Sequence, residues 1–155
     1  LSFPNARYRV HEADWKHFTT AEMLADTNRG EATNRSVMPL EKQGVLDLMD
    51  GETELAPGVT AFPTPGHTPG HMSLLVASKN ERALLVGDIL GSPMQATETD
   101  LHYSPDWDGP MGIAARKNIL DQAELTHAVV MGSHLSYPGW GTMIRWEGKR
   151  YWKAL

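Results

Sequence analysis

Residues 64–71 read Thr-Pro-Gly-His-Thr-Pro-Gly-His, and no other segment limits the fold of this chain as strongly. Each proline lacks a backbone N–H and fixes its own φ, so the segment continues neither a helix nor a central ladder strand. Each glycine opens backbone angles closed to other residues. A loop punctuated by two Pro-Gly pairs is tightly prescribed. It aims an imidazole with little conformational entropy left to lose when a ligand binds.

The loop follows Val59 to Phe62, which reads as a strand, and the pattern beyond it is that of a sheet. Ser73 to Ala77 and Ala83 to Val86 are short, continuous apolar runs on either side of Ser78-Lys79-Asn80-Glu81, so they read as a hairpin. Continuous rather than alternating apolarity predicts strands covered on both faces. Asp108-Gly109-Pro110 is a helix start, with Asp as cap and Pro in the first turn. Beyond it, Met111, Ala115, Ile119 and Ala123 stand four apart and Ile113 and Leu120 seven apart, a core-facing stripe. Ala128 to Met131 reads as another strand. Met143 to Trp146 and Arg150 to Leu155 close the chain as a hairpin around Glu147-Gly148, with Trp146, Tyr151 and Trp152 as core.

Before Pro57 the signals are weaker. Ala6 to Val10 reads as a short strand, Glu12 to Phe18 as a helix, Thr19 to Ser36 as a helix fragment plus loop, and Val45 to Met49 as one helical turn or loop. The whole is an α+β chain forming a single domain over 1–155, with a mixed sheet and helices packed on one side. Its length suits one domain with a real core.

There is no cysteine among the 155 residues, so any metal must be held by nitrogen and oxygen. Three such residues leave strand ends. His67 lies in the Pro-Gly loop, Asp88 directly follows the apolar run Leu84 to Gly87, and His134 sits in Gly132-Ser133-His134 after the Ala128 strand. Loops leaving one edge of a sheet converge in space, and sites are commonly built there. Two imidazoles and a carboxylate suit a hard or borderline divalent metal. Each alone has an ordinary reading as a structural histidine or a turn cap; the combination is what singles them out.

The run Thr-Pro-Gly-His-Thr-Pro-Gly-His, then Leu-Val-Gly-Asp ending 21 positions after the first His (88 − 67), then Gly-Ser-His, resembles the metallo-β-lactamase superfamily. The resemblance covers the chain from Phe3 to its end. His134-Leu135-Ser136-Tyr137-Pro138-Gly139 through Glu147-Gly148-Lys149, and Phe3-Pro4-Asn5-Ala6, are most like the branch of methyl parathion hydrolase and related esterases and lactonases. The implied fold is an αβ/βα four-layer sandwich of two similar halves, with this chain as its C-terminal half. The implied roles are His67 on one metal, Asp88 bridging two metals at the catalytic centre, and His134 on the second. The implied activity is a metal-dependent hydrolase using a metal-activated hydroxide on an ester, lactone or phosphotriester. Two divalent ions are implied, zinc first, with iron or manganese as the others.

The chain departs from the family in lacking a His-x-His-x-Asp-His cluster, which supplies most of the usual ligands; His11 and His17 do not replace it. The sequence therefore reads as a fragment or as half of a pair. An exposed sheet face follows, to be covered by a second copy or by an N-terminal half. Some lactonases of the family carry a Tyr three residues after the bridging Asp; Gly91 stands there, which weighs towards an esterase or organophosphate hydrolase. Two other readings are an iron-dependent oxygenase of the same fold, since His and Asp do not separate zinc from iron, and a catalytically incomplete binding module.

His71 reads as a support for the metal ligands rather than a ligand. Among the loop aromatics Trp15, Tyr103, Trp107, Tyr137 and Trp140, the pair Tyr137 and Trp140 is the best placed for substrate contact. Asp108 is a cap, Asp106 has no assigned role, and His11, His17, His102 and His127 read as surface or capping residues. The substrate expected is a small molecule. A net charge of -5 with scattered basic residues gives no footprint for nucleic acid, and no apolar run has the roughly 18 residues of a membrane span. Absence of cysteine fits a reducing compartment without assigning one, and the opening Leu1-Ser2-Phe3-Pro4 lacks a targeting pattern.

Overall fold

The computed structural model describes residues 3–155; Leu1 and Ser2, and the targeting expectation that begins on them, lie outside. The chain divides into a unit ending at Gly51 and a unit running from Glu52 to Leu155.

In the first unit, β1 (Tyr8–His11) is followed by α1 (Glu12–Phe18), α2 (Ala21–Ala25), α3 (Arg29–Ala32), a π-helical turn at Thr33–Val37, α4 (Met38–Lys42) and β2 (Leu46–Met49). Side chains start two of the helices. His11 Nδ1 accepts from the Ala13 N–H at 3.1 Å, and Thr20 Oγ1 accepts from the Met23 N–H at 3.2 Å, each satisfying a donor that the helix leaves open. Two expectations are corrected here. Leu46–Met49 form a strand rather than a helical turn or loop, because β1 offers them a parallel partner, Tyr8 opposite Leu46 and His11 opposite Met49. Residues 19–36 are also more helical than a fragment plus loop.

The second unit holds β3 (Thr53–Ala56), β4 (Val59–Pro63), β5 (Met72–Ser78), β6 (Glu81–Gly87), α5 (Met94–Thr97), α6 (Gly109–Thr126), β7 (Val129–Gly132), β8 (Trp140–Trp146) and β9 (Lys149–Ala154). Seven strands lie side by side in chain order, β3 to β9. All neighbours are antiparallel except β6 and β7, which run parallel. A parallel pair needs a crossover, and the segment holding α6 provides it. The β5–β6 hairpin turns at Lys79 and Asn80, both at positive φ (48° and 67°), the geometry whose twist matches that of the strands.

Asp108 caps α6 by accepting from the Met111 N–H at 2.9 Å, and His127 ends the helix in a left-handed conformation. Its buried residues are Gly112, Arg116, Ile119, Leu120 and Ala123. Ile119, Leu120 and Ala123 join Leu84, Val86, Ile89, Leu90, Ala128, Val130 and Leu135 in the core. The anticipated stripe is thus correct towards its end and wrong at its start, where Met111 is exposed. A helix turns about 100° per residue, so positions four apart drift by about 40° each step and Met111 stands about 120° from Ala123. Trp152 packs against the core, whereas Trp146, also expected inside, is 61% exposed beside the β8–β9 turn.

The face of the sheet turned away from α6 is apolar as well. Successive residues alternate sides, so Leu74, Leu85, Met131 and Trp140 align in register across four strands, beside Val76, Ala83 and Val129. A cavity of about 750 Å³ opens on this side, lined by Val76, Ala83, Val129, Met131, Trp140 and Leu155 among others.

Glu124 of α6 ties the closing hairpin to the helix, accepting from Arg145 and Arg150. The Arg145 and Arg150 guanidiniums hold its carboxyl down at about 2. A carboxyl lowered in the folded state stabilises fully above its unfolded value and loses that contribution as pH falls through the folded one. Thermal midpoints measured from pH 5 down to pH 2 should therefore fall more steeply in the parent than in Glu124→Gln. Parallel curves would contradict this.

Candidate metal centre

His67, Asp88 and His134 come from three different segments, and the structure brings them together. The Pro-Gly loop carrying His67 leaves the end of β4. Its Thr64 N–H donates to the His71 carbonyl at 2.8 Å and its Gly66 N–H to the Thr68 carbonyl at 3.0 Å, so the loop closes on its own backbone. Asp88 follows β6 and His134 follows β7, the parallel pair, so both leave the same end of the sheet.

His67 Nε2 lies 3.4 Å from Asp88 Oδ2, and His134 Nε2 lies 3.3 Å from Asp88 Oδ1. One carboxylate thus presents one oxygen to each imidazole. Both separations are long for hydrogen bonds. His67 is half-enclosed, while His134 and Asp88 are more open to solvent, with side-chain exposures of 18%, 46% and 36%.

The other ring nitrogen of His67 is already engaged: Nδ1 lies 3.2 Å from Asp106 Oδ1. A carboxylate oxygen accepts only, so Nδ1 carries a proton, and in the neutral form of the ring Nε2 would present its lone pair to Asp88 Oδ2. Two acceptors facing one another at this distance call for a positive charge between them, a proton or a metal cation. That is the chemical fit of these residues to a divalent ion, with nitrogen and oxygen donors of the kind zinc and related metals take. Among the described residues, no group of three or more His, Asp or Glu side chains forms a metal cage by itself. The arrangement offers one nitrogen and one carboxylate oxygen on each side of Asp88.

His71 uses both nitrogens nearby. Nδ1 lies 3.1 Å from the Thr64 carbonyl and 2.9 Å from Thr64 Oγ1, while Nε2 lies 3.3 Å from the Asp88 backbone nitrogen. The carbonyl only accepts, so Nδ1 is the donor and Nε2 accepts from the Asp88 N–H. His71 therefore fixes the main chain of Asp88. Gly87, at φ 54°, is required beside it: a Cβ there would stand 2.8 Å from His71 Nε2. The imidazole of His71 takes the space beside Gly87.

Asp106 is the residue that sequence reasoning left without a role. Its side chain is 3% exposed, Oδ1 faces His67, and Oδ2 stands 3.8 Å from Arg116 Nη2. The backbone reinforces the meeting, with the Trp107 N–H donating to the His67 carbonyl at 3.1 Å and the Asp108 N–H to the Gly66 carbonyl at 2.9 Å. Nothing local in Asp106-Trp107-Asp108 signals a histidine 39 positions earlier. Carboxylates behind liganding histidines are typically worth 10- to 100-fold in metal affinity. Asp106→Asn is accordingly expected to weaken zinc binding by about that factor in competition with a chelating dye, and unchanged affinity would refute the role.

Tyr103 occupies the remaining flank. Its ring stacks on His67 with centroids 5.8 Å apart and is tilted against His134 at 6.3 Å. Burial pushes its phenol up, and the charges of Asp88 and Asp106 add to this. Tyr137 is 96% exposed, and Trp140 lines the cavity on the sheet face turned away from α6. His102 is exposed, and His11 and His127 cap helices.

Comparison with known proteins gives the following. The family model of the metallo-β-lactamase superfamily matches residues 3–135. An N-acyl homoserine lactonase of Bacillus cereus is 41% identical over 114 residues, 74% of this chain and 44% of that protein. A second, from Bacillus sp, is 25% identical over 87 residues, 56% of this chain and 34% of that protein. Among solved structures, the hydrolase AbOPH in the beta lactamase superfamily superposes with a TM-score of 0.85 at 22% identity, over 99% of this chain and 56% of that one. AidC, a dizinc quorum-quenching lactonase, superposes with a TM-score of 0.76 at 24% identity, with the same coverage. The chain spans less than half the length of the curated relatives it matches.

Proposed function

This chain belongs to the metallo-β-lactamase superfamily, and from that membership we propose that it supplies part of a dinuclear metal centre for a hydrolase acting on lactones. The observation that carries the reading is the division of the Asp88 carboxylate, one oxygen towards His67 and the other towards His134. His67 and Asp88 would hold one ion, His134 and Asp88 the other. A divalent metal bound there would supply Lewis acidity, to polarise a substrate oxygen and to bring the pKa of water down to about 7.

The protein's own groups set the geometry of that chemistry. Asp106 holds the His67 ring so that Nε2 faces inward, and His71 holds the Asp88 main chain. In lactone hydrolysis the oxygen of water joins the carbonyl carbon, the ring C–O bond breaks, and the released oxygen takes a proton, leaving a hydroxy acid. The lactone stands ahead of a simple ester or phosphotriester because the relative 41% identical to this chain is an N-acyl homoserine lactonase. Tyr137 and Trp140 remain candidates for contacting the acyl portion of the substrate.

Two donors on each side of Asp88 fall short of the three or four that hold zinc in proteins. We propose that the remaining ligands come from an N-terminal half, as one domain of which 1–155 is a part, and that the apolar face bearing Leu74, Leu85 and Met131 packs against it. Alone, the 17.2 kDa chain is expected to sediment as a self-associated species. A strictly monomeric, well-folded species would contradict the association.

The functional test is metal content by elemental analysis together with hydrolysis of N-hexanoyl homoserine lactone, a p-nitrophenyl ester and a phosphotriester, in a polypeptide joining this chain to its N-terminal half. Two metals per polypeptide and preferential lactone opening, lost in His67→Ala, are expected. Turnover indifferent to a chelator would overturn the proposal.

A further inference from the structure

The segment between Asp88 and α6 is held down by two buried side chains. Gln95, 2% exposed, accepts from the Gly91 N–H at 2.7 Å and donates to the Leu101 carbonyl at 3.2 Å. Arg116, 1% exposed, donates to the carbonyls of Ile89, Thr99 and Leu101 at 3.0, 2.9 and 2.9 Å. Both ends of the excursion 89–101 are therefore fixed to each other and to α6. Tyr103 follows immediately and is delivered between His67 and His134.

The space its ring fills belongs to position 91. A Cβ on Gly91 would stand 2.5 Å from Tyr103 Cε2 and 2.7 Å from Cδ2 and Cζ, distances that carbon atoms do not share without displacement. The glycine and the tyrosine are thus two parts of one arrangement. The phenol hydroxyl carries a proton to donate, and the ring that bears it lies against both imidazoles. At a centre whose other groups present lone pairs, it is a neutral O–H donor.

We infer that Tyr103 is a substrate-contacting residue of this centre, its phenol donating a hydrogen bond to an oxygen of the bound lactone, and that Gly91 is the residue that makes room for it. The inference rests on the lactone hydrolase reading. A neutral hydrogen bond of this kind is worth about three- to tenfold in kcat/KM.

The test uses the polypeptide carrying both halves and four variants: Tyr103→Phe, Tyr103→Ala, Gly91→Ala, and Gly91→Ala combined with Tyr103→Ala. In the metal-free protein, Tyr103→Ala and Gly91→Ala are expected to shift the imidazole proton resonances of His67 and His134, because a stacked ring is removed or displaced, while Tyr103→Phe leaves them nearly unmoved. With metal bound, Tyr103→Phe should lower kcat/KM for N-hexanoyl homoserine lactone about three- to tenfold and weaken calorimetric binding of the ring-opened N-hexanoyl homoserine. The double variant should be no worse than Tyr103→Ala alone, since the methyl at 91 then has nothing to strike. A Tyr103→Phe protein that binds and turns over like the parent overturns the inference and leaves the hydrolase reading standing. A parent that neither binds nor opens the lactone overturns both. Unmoved histidine resonances in Tyr103→Ala overturn the placement of the ring, whatever the activity.

Discussion

Replacing Asp88 with alanine is expected to lower metal-dependent turnover by about a thousandfold or more, with the metal content falling in parallel. A bound metal contributes several kcal/mol of charge stabilisation in the transition state, and each 1.4 kcal/mol is a factor of about ten in rate. Asp88 faces both imidazoles, so its loss affects both sides of the centre, where His67→Ala or His134→Ala removes a donor from one side. Asp88→Asn separates charge from shape: the amide keeps one carbonyl acceptor but no negative charge, and it too should fail to hold two ions. The fold should survive, because the contact from the Asp88 main chain to His71 is a backbone one and the side chain is 36% exposed. Elemental analysis, turnover and circular dichroism on the same samples check all three statements. Normal metal content in Asp88→Ala would end the account of a shared carboxylate.

Arg116→Met is expected to destabilise the second unit by about 3–5 kcal/mol, the range for breaking a buried charge pair from one side. The guanidinium is almost completely enclosed and donates to three carbonyls from two stretches of the excursion between β6 and α6. Methionine fills similar volume and offers no donor, so those carbonyls lose their partner in the interior. Asp106 is left buried without its cation, 3.8 Å away in the parent. At about 2–4 °C per kcal/mol for a chain of this size, the thermal midpoint should fall by about 6–20 °C. Lysine is not a conservative replacement, since one ammonium does not reproduce the planar fork. Removing the stranded charge as well, in Arg116→Met with Asp106→Asn, should recover part of the loss. A fall below about 1 kcal/mol would show that the three carbonyl contacts contribute little.

These two residues mark opposite limits of what the sequence makes legible. Asp88 stands out because its environment is local: an apolar run, a glycine, then a carboxylate where a buried strand ends. Arg116 does not, because a periodicity count treats arginine as polar and places it outside the stripe, although α6 buries it. The guanidinium is tolerated in the interior because backbone carbonyls from the crossing segment surround it, and those partners stand 15 to 27 residues away. The same holds for Asp106 behind His67. The strand at Leu46–Met49 is a milder case, four residues whose ladder exists because β1 lies alongside.

Tyr103 shows the difference most directly. Among the loop aromatics the sequence ranks Tyr137 and Trp140 ahead of it, since both follow the His134 loop. The structure puts the ring of Tyr103 against both imidazoles and leaves Tyr137 in solvent. Proximity along the chain is a poor guide here, because the excursion after β6 is folded back by Gln95 and Arg116 before it reaches Tyr103.

By itself the sequence determined what short-range forces decide: the prescribed loop around His67, the β5–β6 turn, the cap and run of α6, and the three residues left at strand ends. Backbone sterics, capping and burial of continuous apolar runs act within a few residues, so they are written in the order of the amino acids. The tertiary structure decided which nitrogen of His67 faces Asp88, what supports Asp88 from behind, and which aromatic ring stands between the imidazoles. Those outcomes depend on hydrogen bonds and contacts between groups far apart in the chain, whose meeting is fixed once the sheet and its crossover helix have formed.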